Sequence, residues 1–320
     1  MRGKIIGTGS FAPAKVLDNN DLANLVDTND EWIRERTGVV RRHIIEDESV
    51  TSMGTAAAEQ ALKDSGMKAE EIDLIIASTI SSNVILPCAA CEIQKGIGAV
   101  NATCFDLNAA CTGFVFAYNT AQAYIAAGIY KNVLVVGVEA LSNLLNWEDR
   151  GTCILFGDGA GAAVLTAEEG TILPMVTHSD GSRGEALTCN SRHNKDWQEH
   201  LEDDSTYLQM HGQEVFKFAV RKVPEVIGEV LEQADISIEE IDLFVLHQAN
   251  RRIVESVAKK LKQPIEKFPM NMHEYGNTSS ASVGILLDEL NREGKLKAGQ
   301  KILLAGFGAG LSWGASLIEW

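Results

Sequence analysis

The sequence contains one structural unit twice, and this repeat constrains its fold more than any other feature. The segment EEIDLII at residues 70–76 returns as EEIDLFV at residues 239–245, 169 positions later, with five of the seven residues identical. The same spacing relates two further pairs of segments: 132–138 with 301–307, and 108–111 with 277–280. Three matches in a single register predict two structurally equivalent halves.

Each half is predicted to alternate helices with buried strands. A helical stretch, at about 50–65 in the first half and 214–234 in the second, precedes the repeated strand, and a second helix and a Val- and Leu-rich strand follow it. Strands that are apolar without alternation are buried on both faces, so we predict an α/β fold built in layers. Two glycine-rich segments, 157–165 and 306–314, are predicted to turn into the last strand of each half.

We expect the two halves to be residues 1–170 and 171–320, related by a pseudo-twofold axis, with the functional site between them. The polar, aperiodic segment at about 182–206 has no recognisable counterpart in the first half and is predicted to be a surface loop.

Charge and hydropathy limit the possible partners. The chain has 28 basic and 44 acidic residues and a net charge of −16, which disfavours binding to nucleic acid and to anionic lipid surfaces. No apolar run approaches the eighteen or so residues of a membrane span, and the first residues already read as a strand. A cytoplasmic protein that binds neither nucleic acid nor membrane is therefore expected.

The six cysteines are typical of reduced core residues in a chain of 320 residues. Cys88 and Cys91 form a C-x-x-C pair that has the spacing of a redox or half-metal site. However, no second ligand pair follows at zinc-like spacing, and the context favours a helix start with small residues packed inward. We therefore expect no metal site.

Cys111 is the strongest candidate nucleophile. It lies in the segment FDLNAACTGF at 105–114, where an apolar strand meets small residues and then a helix that runs to about Ala127. Unpaired backbone N–H groups at a helix N-terminus favour a thiolate. A buried structural cysteine explains the local pattern equally well, but the repeat puts Asn277 and Ser280 at the equivalent helix start, which we expect to face Cys111.

His247 is predicted to join this site. It ends the second repeated strand, and with Gln248 and Asn250 it forms a polar cluster directly after an apolar run. Ligands bind at such strand ends in α/β sheets. A Cys, a His and an Asn fit two reaction classes: a cysteine protease, in which the Asn orients a basic His, and a decarboxylative condensation, in which both His and Asn stabilise a thioester oxyanion.

The chain resembles the beta-ketoacyl-acyl-carrier-protein synthase III family, the initiating condensing enzymes of bacterial fatty-acid synthesis, which have the thiolase fold. The resemblance runs from end to end. It rests on these motifs in order: DEWI at 30–33 with RTG at 36–38, ACTGF at 110–114, LFGDGAG at 155–161, HQAN at 247–250, YGNTS at 275–279 and GFGAGLSWG at 306–314.

The resemblance implies a two-stage reaction without a cofactor, since the CoA thioester is a substrate. Cys111 takes an acyl group from acyl-CoA. Malonyl-acyl-carrier protein then loses carbon dioxide, and His247 and Asn277 donate hydrogen bonds to the enolate that attacks the acyl-cysteine. The tetrahedral oxyanion would be held by the backbone N–H groups of Cys111 and Ala309. Many relatives have glycine at the position of Ala309, and the donor survives if the turn there does not need a positive φ.

The resemblance also implies the binding residues and a homodimer. CoA would be held by Trp32, Arg36, Thr37, Arg150 and Asn250. The acidic carrier protein would dock on Lys217, Arg252, Lys259 and Lys260, although a merely solvated cationic face is the alternative. Leu86 and Phe307 would line an acyl pocket that the partner subunit completes. Because Leu86 is smaller than the aromatic residue of relatives, we expect a primer larger than acetyl.

Two other functions remain possible at this point. One is a polyketide-type condensing enzyme that uses the same three residues on free CoA esters and needs no basic docking face. The other is a non-catalytic or hydrolytic thioester-binding protein, which the retention of Cys111, His247 and Asn277 together argues against.

Overall fold

The structure is a computed structural model that describes residues 1–190 and 206–320. The strands in this part of the chain are β1 (Arg2–Phe11), β2 (Val16–Asp18), β3 (Arg41–His43), β4 (Leu74–Ser78), β5 (Thr103–Leu107), β6 (Asn132–Glu139), β7 (Gly159–Glu168), β8 (Met175–Ser179), β9 (Leu187–Thr188), β10 (Gln209–Met210), β11 (Leu243–Leu246), β12 (Lys301–Gly308) and β13 (Ser312–Glu319). The helices are α1 (Asn19–Ala23), α2 (Asp30–Thr37), α3 (Val50–Ser65), α4 (Ala89–Ile97), α5 (Gly113–Ala126), α6 (Arg150–Cys153), α7 (Gly212–Ala234), α8 (Arg251–Leu261), α9 (Met272–Tyr275) and α10 (Ala281–Arg292).

Two mixed sheets form the framework. The first has the strand order β1-β7-β6-β4-β5 and the second has the order β11-β12-β13-β8. In both sheets the repeated strand pairs in parallel with the Val- and Leu-rich strand, which in turn pairs antiparallel with the last strand of its half. Each sheet takes all its strands from one side of residue 170, but the division into two domains at that residue stays a prediction.

Five layers stack through the molecule. Helices α3 and α4 cover the outer face of the first sheet, and α7 and α8 cover the outer face of the second. Helices α5 and α10 lie between the sheets, in one apolar core that takes residues from both. The layered α/β fold predicted from the unbroken apolar strands is therefore confirmed.

The 169-residue repeat holds in structural detail. The repeated strands are β4 and β11, and the Val- and Leu-rich strands are β6 and β12. Ala110 and Ser279, which precede α5 and α10 at equivalent positions, have φ of 46° and 48°, an unusual backbone conformation for residues other than glycine.

Three details differ from the predictions. The two Glu-Glu pairs form 3-10 turns (Ala69–Glu71 and Ile238–Glu240) before the strands instead of belonging to them. The first glycines of segment 306–314 belong to β12, and the turn follows them. In the described residues β5 has no counterpart in the second sheet.

The predicted loop at 182–206 falls largely outside the described residues. Its beginning is not irregular, because a 3-10 turn spans Gly181–Ala186 and β9 pairs with β10.

Close backbone approaches join the central helix α10 to the first sheet. A Cβ added to Gly161 in β7 would lie 2.4 Å from the backbone carbonyl carbon of Gly284 in α10. Glycine at both positions therefore lets the helix pack at a distance that side chains would not permit. No helix in the described part of the chain is long and apolar enough to cross a membrane.

Candidate active site

Cys111 lies directly before the central helix α5. It belongs to a 3-10 turn (Ala110–Thr112) that runs into the helix, and only 7% of the residue is exposed. Burial raises the pKa of the Cys111 thiol to about 12, while a hydrogen bond with the Ser279 hydroxyl acts in the opposite direction. The position at the helix start agrees with the prediction, but burial keeps the resting side chain a thiol. Its activation therefore requires a proton acceptor.

Asn277 is fixed just before α10. Its backbone N–H donates to the Leu155 carbonyl (2.8 Å), and its own carbonyl accepts from the Gly157 N–H (3.0 Å). Its side-chain Oδ1 accepts from the backbone N–H of Ser279 (2.9 Å). Among the described residues nothing accepts from the Asn277 amide nitrogen, so this donor is available to a ligand.

His247 is buried at the end of β11. Its Nδ1 lies 2.7 Å from the Ser282 hydroxyl oxygen, which also accepts the backbone N–H of Gln248 at 3.4 Å. We assign the Ser282 proton to the bond with Nδ1, which puts the histidine proton on Nε2. Burial lowers the pKa of His247 to about 3, so the ring is neutral at physiological pH.

Short chains of contacts bring Cys111, Asn277 and His247 to one place. Ser279, whose backbone N–H donates to Asn277 Oδ1, is close enough to Cys111 to influence the pKa of its thiol. Strand β12 contacts both Cys111 and His247. A Cβ added to Gly308 would lie 2.9 Å from the Cβ and the backbone nitrogen of Cys111. The ring of the preceding residue, Phe307, packs edge-on against His247, with 5.1 Å between the ring centres. The three residues therefore lie around the starts of α5 and α10.

The turn after β12 is suited to the predicted oxyanion donor at Ala309. Gly308 lies against the backbone nitrogen of Cys111, and of the turn residues only Gly310 has a positive φ, 135°. Alanine therefore fits at position 309 without backbone strain, which meets the condition for keeping the predicted donor.

One buried residue of the site was missed from the sequence. Glu139 ends β6 and is completely buried, and it accepts hydrogen bonds from the hydroxyls of Ser279 (3.2 Å) and Ser280 (2.8 Å). The signal was present, since a charged residue closes an apolar strand there, which is the same pattern that singled out His247.

The predicted CoA residues separate into two groups. The Arg150 and Arg36 guanidinium carbons lie 5.0 and 5.9 Å from the centre of the Trp32 ring, so these three residues form one cluster. In contrast, the Thr37 hydroxyl donates to the Ile33 carbonyl at the end of α2. Both side-chain groups of Asn250 are also engaged: Oδ1 caps α8, and Nδ2 donates to the Arg36 carbonyl (3.1 Å).

Leu86 and Phe307 are not brought together within one chain. Leu86 is 85% exposed and the neighbouring Ile85 is 80% exposed, whereas Phe307 is buried beside His247. Leu86 therefore cannot enclose an acyl pocket unless another surface covers it.

The four predicted docking residues are all exposed and lie on the neighbouring helices α7 and α8. Two contacts join these helices. The Arg252 guanidinium carbon lies 5.6 Å from the ring centre of Phe216, the residue before Lys217, and the Lys260 ammonium lies 3.5 Å from the Val220 carbonyl. In the described part of the chain, none of Lys217, Arg252, Lys259 and Lys260 forms an ion pair. The structure thus brings them onto one side of the molecule as unpaired positive charge.

Comparisons with known proteins identify the family of this chain. Residues 105–181 match the family model described as 3-oxoacyl-[acyl-carrier-protein (ACP)] synthase III, and residues 231–320 match the model of its C-terminal part. The chain is 49% identical to beta-ketoacyl-[acyl-carrier-protein] synthase III of Clostridium novyi, over 99% of this chain and 98% of that protein.

Solved structures give the same result. The chain is similar to 3-oxoacyl-[acyl-carrier-protein] synthase III from Aquifex aeolicus, with a TM-score of 0.93 and 45% identity over 99% of this chain and 100% of that one. It is also similar to the priming beta-ketosynthase of the R1128 polyketide pathway, with a TM-score of 0.93 and 37% identity over 99% and 96% of the two chains. These extents of identity and coverage show that the chain belongs to the beta-ketoacyl-acyl-carrier-protein synthase III family.

Proposed function

We propose that the protein catalyses a decarboxylative Claisen condensation between an acyl-CoA primer and malonyl-acyl-carrier protein, the reaction that initiates fatty-acid synthesis. The observation that supports the proposal is a buried, neutral His247, held by Ser282 of α10 with its proton assigned to Nε2, together with an Asn277 amide nitrogen for which the described residues provide no acceptor. Two neutral donors suit an oxyanion that appears only during the reaction.

In the first step the Cys111 sulfur attacks the thioester carbon of acyl-CoA and CoA leaves as a thiol. The oxygen of the tetrahedral intermediate accepts from the backbone N–H groups of Cys111 and Ala309. The approach of Gly308 to the Cys111 nitrogen supports this arrangement, because it places the turn beside the reacting sulfur.

In the second step decarboxylation of the malonyl thioester produces an enolate, whose oxygen accepts from His247 Nε2 and Asn277 Nδ2. The enolate carbon attacks the acyl-cysteine and frees the Cys111 thiolate. Loss of carbon dioxide supplies the electron pair for the new carbon–carbon bond, so the proposed reaction calls for no cofactor and no base that removes a proton from carbon.

The protease alternative fits the contacts less well. In that mechanism the Asn orients the His, whereas here the Asn277 side-chain oxygen is bound to Ser279, and Ser282 holds the His247 ring. With a pKa of about 3, His247 is also far too weak a base for a protease operating near neutral pH.

A condensation assay tests the proposed function. The protein is supplied with acetyl-, butyryl- or isobutyryl-CoA and with malonyl-carrier protein, and the mass of the carrier-bound product is measured. We expect a beta-ketoacyl-carrier protein, formed from the larger primers at least as fast as from acetyl-CoA. A clear preference for acetyl-CoA would contradict the inference from Leu86, and absence of every product would contradict the function.

A priming ketosynthase of polyketide synthesis is the second candidate, favoured by the structural similarity to the R1128 enzyme. Replacing malonyl-carrier protein with malonyl-CoA in the same assay separates a carrier-dependent enzyme from one that accepts free CoA esters. Our proposal predicts turnover with the carrier substrate and little with malonyl-CoA.

We also propose that the cluster of Trp32, Arg36 and Arg150 binds the nucleotide end of CoA, with Thr37 and Asn250 shaping the site through their structural hydrogen bonds. An aromatic ring flanked by two guanidinium groups suits a planar, anionic ligand.

Arg150→Ala is expected to raise the KM for acyl-CoA roughly tenfold with little change in kcat. Steady-state kinetics measures this, with Arg34→Ala as the control, because Arg34 lies on α2 with Trp32 and Arg36 but outside their cluster, where it pairs with Asp30. Equal effects of the two substitutions would exclude the role of Arg150.

The basic surface formed by Lys217, Arg252, Lys259 and Lys260 is proposed to dock the acidic carrier protein. Positive charge that lacks acidic partners is well placed to attract such a protein despite the overall negative charge of this chain.

Arg252→Glu should lower kcat/KM for malonyl-carrier protein by about tenfold at low salt and by less at high salt, without slowing acylation by acyl-CoA. The exposed Lys63 on α3 offers a control charge reversal, Lys63→Glu, and a similar loss there would indicate a nonspecific charge effect.

The chain is further proposed to act in the cytoplasm as a homodimer. Six unpaired cysteines are consistent with a reducing compartment. The exposed apolar residues Val84, Ile85 and Leu86 form a surface that a second copy would cover, which would also place Leu86 in an acyl pocket.

The double substitution Ile85→Asp with Leu86→Asp should lower the sedimentation coefficient from that of a dimer to that of a monomer. Sedimentation of the wild-type chain as a monomer would contradict the proposal.

A further inference from the structure

The C-x-x-C pair of the sequence lies at the start of α4, away from the three proposed catalytic residues. Cys88 is the N-cap residue of the helix, and Cys91 belongs to its first turn. Ala89 and Ala90, between the two cysteines, are completely buried, so the helix start with small residues packed inward is confirmed. Both cysteines, in contrast, are only partly buried. They therefore remain partly accessible to small molecules in solution.

The two sulfur atoms of this pair are in contact. The Cys88 thiol donates a hydrogen bond to the Cys91 sulfur, with 3.4 Å between the two sulfurs. A disulfide bond holds its sulfurs about 2.05 Å apart, so the pair would have to close by about 1.4 Å to become bridged. Two side chains that already meet in this way need little backbone movement to form a disulfide.

The surrounding fold is a typical setting for a redox-active dithiol. Strands β4 and β5 pair in parallel, and α4 lies between them in the chain, so the three elements form a βαβ unit. A C-x-x-C pair that opens the helix of such a unit is the arrangement found in thiol–disulfide oxidoreductases. In a reducing compartment such a pair rests as two thiols and becomes a disulfide only transiently.

We propose that Cys88 and Cys91 are a redox-active dithiol, which a small organic disulfide oxidises reversibly to an intramolecular disulfide. The Cys91 thiol loses its proton to solvent, and its sulfur attacks the reagent disulfide and releases one reagent thiol. The Cys88 thiol then loses its proton, and its sulfur displaces the second reagent thiol from Cys91. The pair has given up two electrons and two protons, and the reagent disulfide has been reduced to two thiols.

The contacts of Cys88 explain the order of the two steps. Burial raises the pKa of the Cys88 thiol, and the nearby carboxylate of Asp106 acts in the same direction. This carboxylate is held at the helix start, where it accepts the backbone N–H groups of Ala89 and Ala90 at 2.8 Å each. Cys88 therefore keeps the proton that it donates to Cys91, and Cys91 attacks first. Oxidation should become faster as the pH rises, since thiolates are the attacking species.

A third cysteine nearby is a competitor for the bridge. Cys104 lies on β5 and is also partly buried, but its thiol donates to the Ala102 carbonyl, with 3.7 Å between sulfur and oxygen. Burial raises the pKa of Cys104 to about 12, and negative charge on Cys91 or Cys88 acts in the same direction. Cys104 is therefore a poor nucleophile at neutral pH and serves as the internal control.

Peptide mapping after incubation with 2-hydroxyethyl disulfide and 2-mercaptoethanol tests the proposal. Free thiols are blocked with N-ethylmaleimide, and the protein is digested with trypsin. Residues 69–95 form one tryptic peptide, which contains Cys88 and Cys91 and no other cysteine, whereas Cys104 and Cys111 fall in the peptide 96–131. We expect the 69–95 peptide to lose two hydrogens and to carry no maleimide. This form should be at least about tenfold more abundant than the mixed disulfide with the reagent, because the second attack is intramolecular. Excess 2-mercaptoethanol should restore both thiols.

Two variants separate the steps of the exchange. Cys88→Ser should stop at a stable mixed disulfide between Cys91 and the reagent, because the resolving thiol is missing. Cys104→Ser is the matched control and should form the bridge in the 69–95 peptide as readily as the wild type does.

Three results would overturn the proposal. The first is a wild-type 69–95 peptide that carries only reagent adducts or maleimide, as expected of two thiols that merely pack at the helix start. The second is a disulfide that joins the peptides 69–95 and 96–131. The third is a bridge that forms only when Ile85 and Leu86 are both replaced by Asp, since a second copy would then shield the pair. The exchange requires neither CoA nor carrier protein, so its outcome is independent of the proposed condensation.

Discussion

His247→Ala is expected to reduce condensation by about 10²- to 10³-fold while leaving the acyl-cysteine intermediate able to form. The reason is that Nε2–H is proposed to stabilise the enolate of the second step, and loss of one oxyanion donor in a buried site has an effect of this size. Asn277→Ala should act in the same direction. Rapid-quench measurement of the acylated fraction, together with steady-state product formation, separates the two steps.

The exposed His211 before α7 supplies the control, and His211→Ala should retain both steps. If His247→Ala instead blocked acylation and condensation alike, His247 would be acting as a base for Cys111, and its assignment as a neutral donor would be wrong.

Gly161→Ala is expected to destabilise the protein by about 3 kcal/mol, at the upper end of the range for overpacked interiors. The added methyl group would lie 2.4 Å from the backbone of α10, which cannot withdraw without disturbing the central layer. Urea unfolding followed by circular dichroism measures the loss. Gly181→Ala is the control, with no atom within 4 Å of the added Cβ and an expected change of less than about 0.5 kcal/mol. An unchanged midpoint for Gly161→Ala would mean that the approach of the two backbones is not as close as described.

The repeat made the fold predictable from the sequence and led to the prediction of the central site. Buried strands recur at a constant spacing, so β4 and β11 could be recognised as equivalent, and with them the helix starts that carry Cys111 and Asn277. His247 was found because a polar cluster interrupts an apolar strand. These features depend on sequence order and strand burial, which a single sequence shows directly.

Other features depend on tertiary contacts that a single sequence does not show. The charged Glu139 at the end of an apolar strand is visible in the sequence, but its hydrogen bonds with Ser279 and Ser280 exist only in the folded chain. The hydroxyl of Thr37 and the amide of Asn250 are engaged by backbone groups, which only the folded chain reveals. The exposure of Leu86 likewise depends on the path of the segment between β4 and α4.

The acyl-cysteine intermediate is the central claim, and intact-protein mass after incubation with acyl-CoA tests it most directly. We predict a mass increase of one acyl group per chain in the wild type, none in Cys111→Ala, and loss of the adduct when malonyl-carrier protein is added. An adduct that persists in Cys111→Ala, or a wild-type chain that acquires none, would contradict the account.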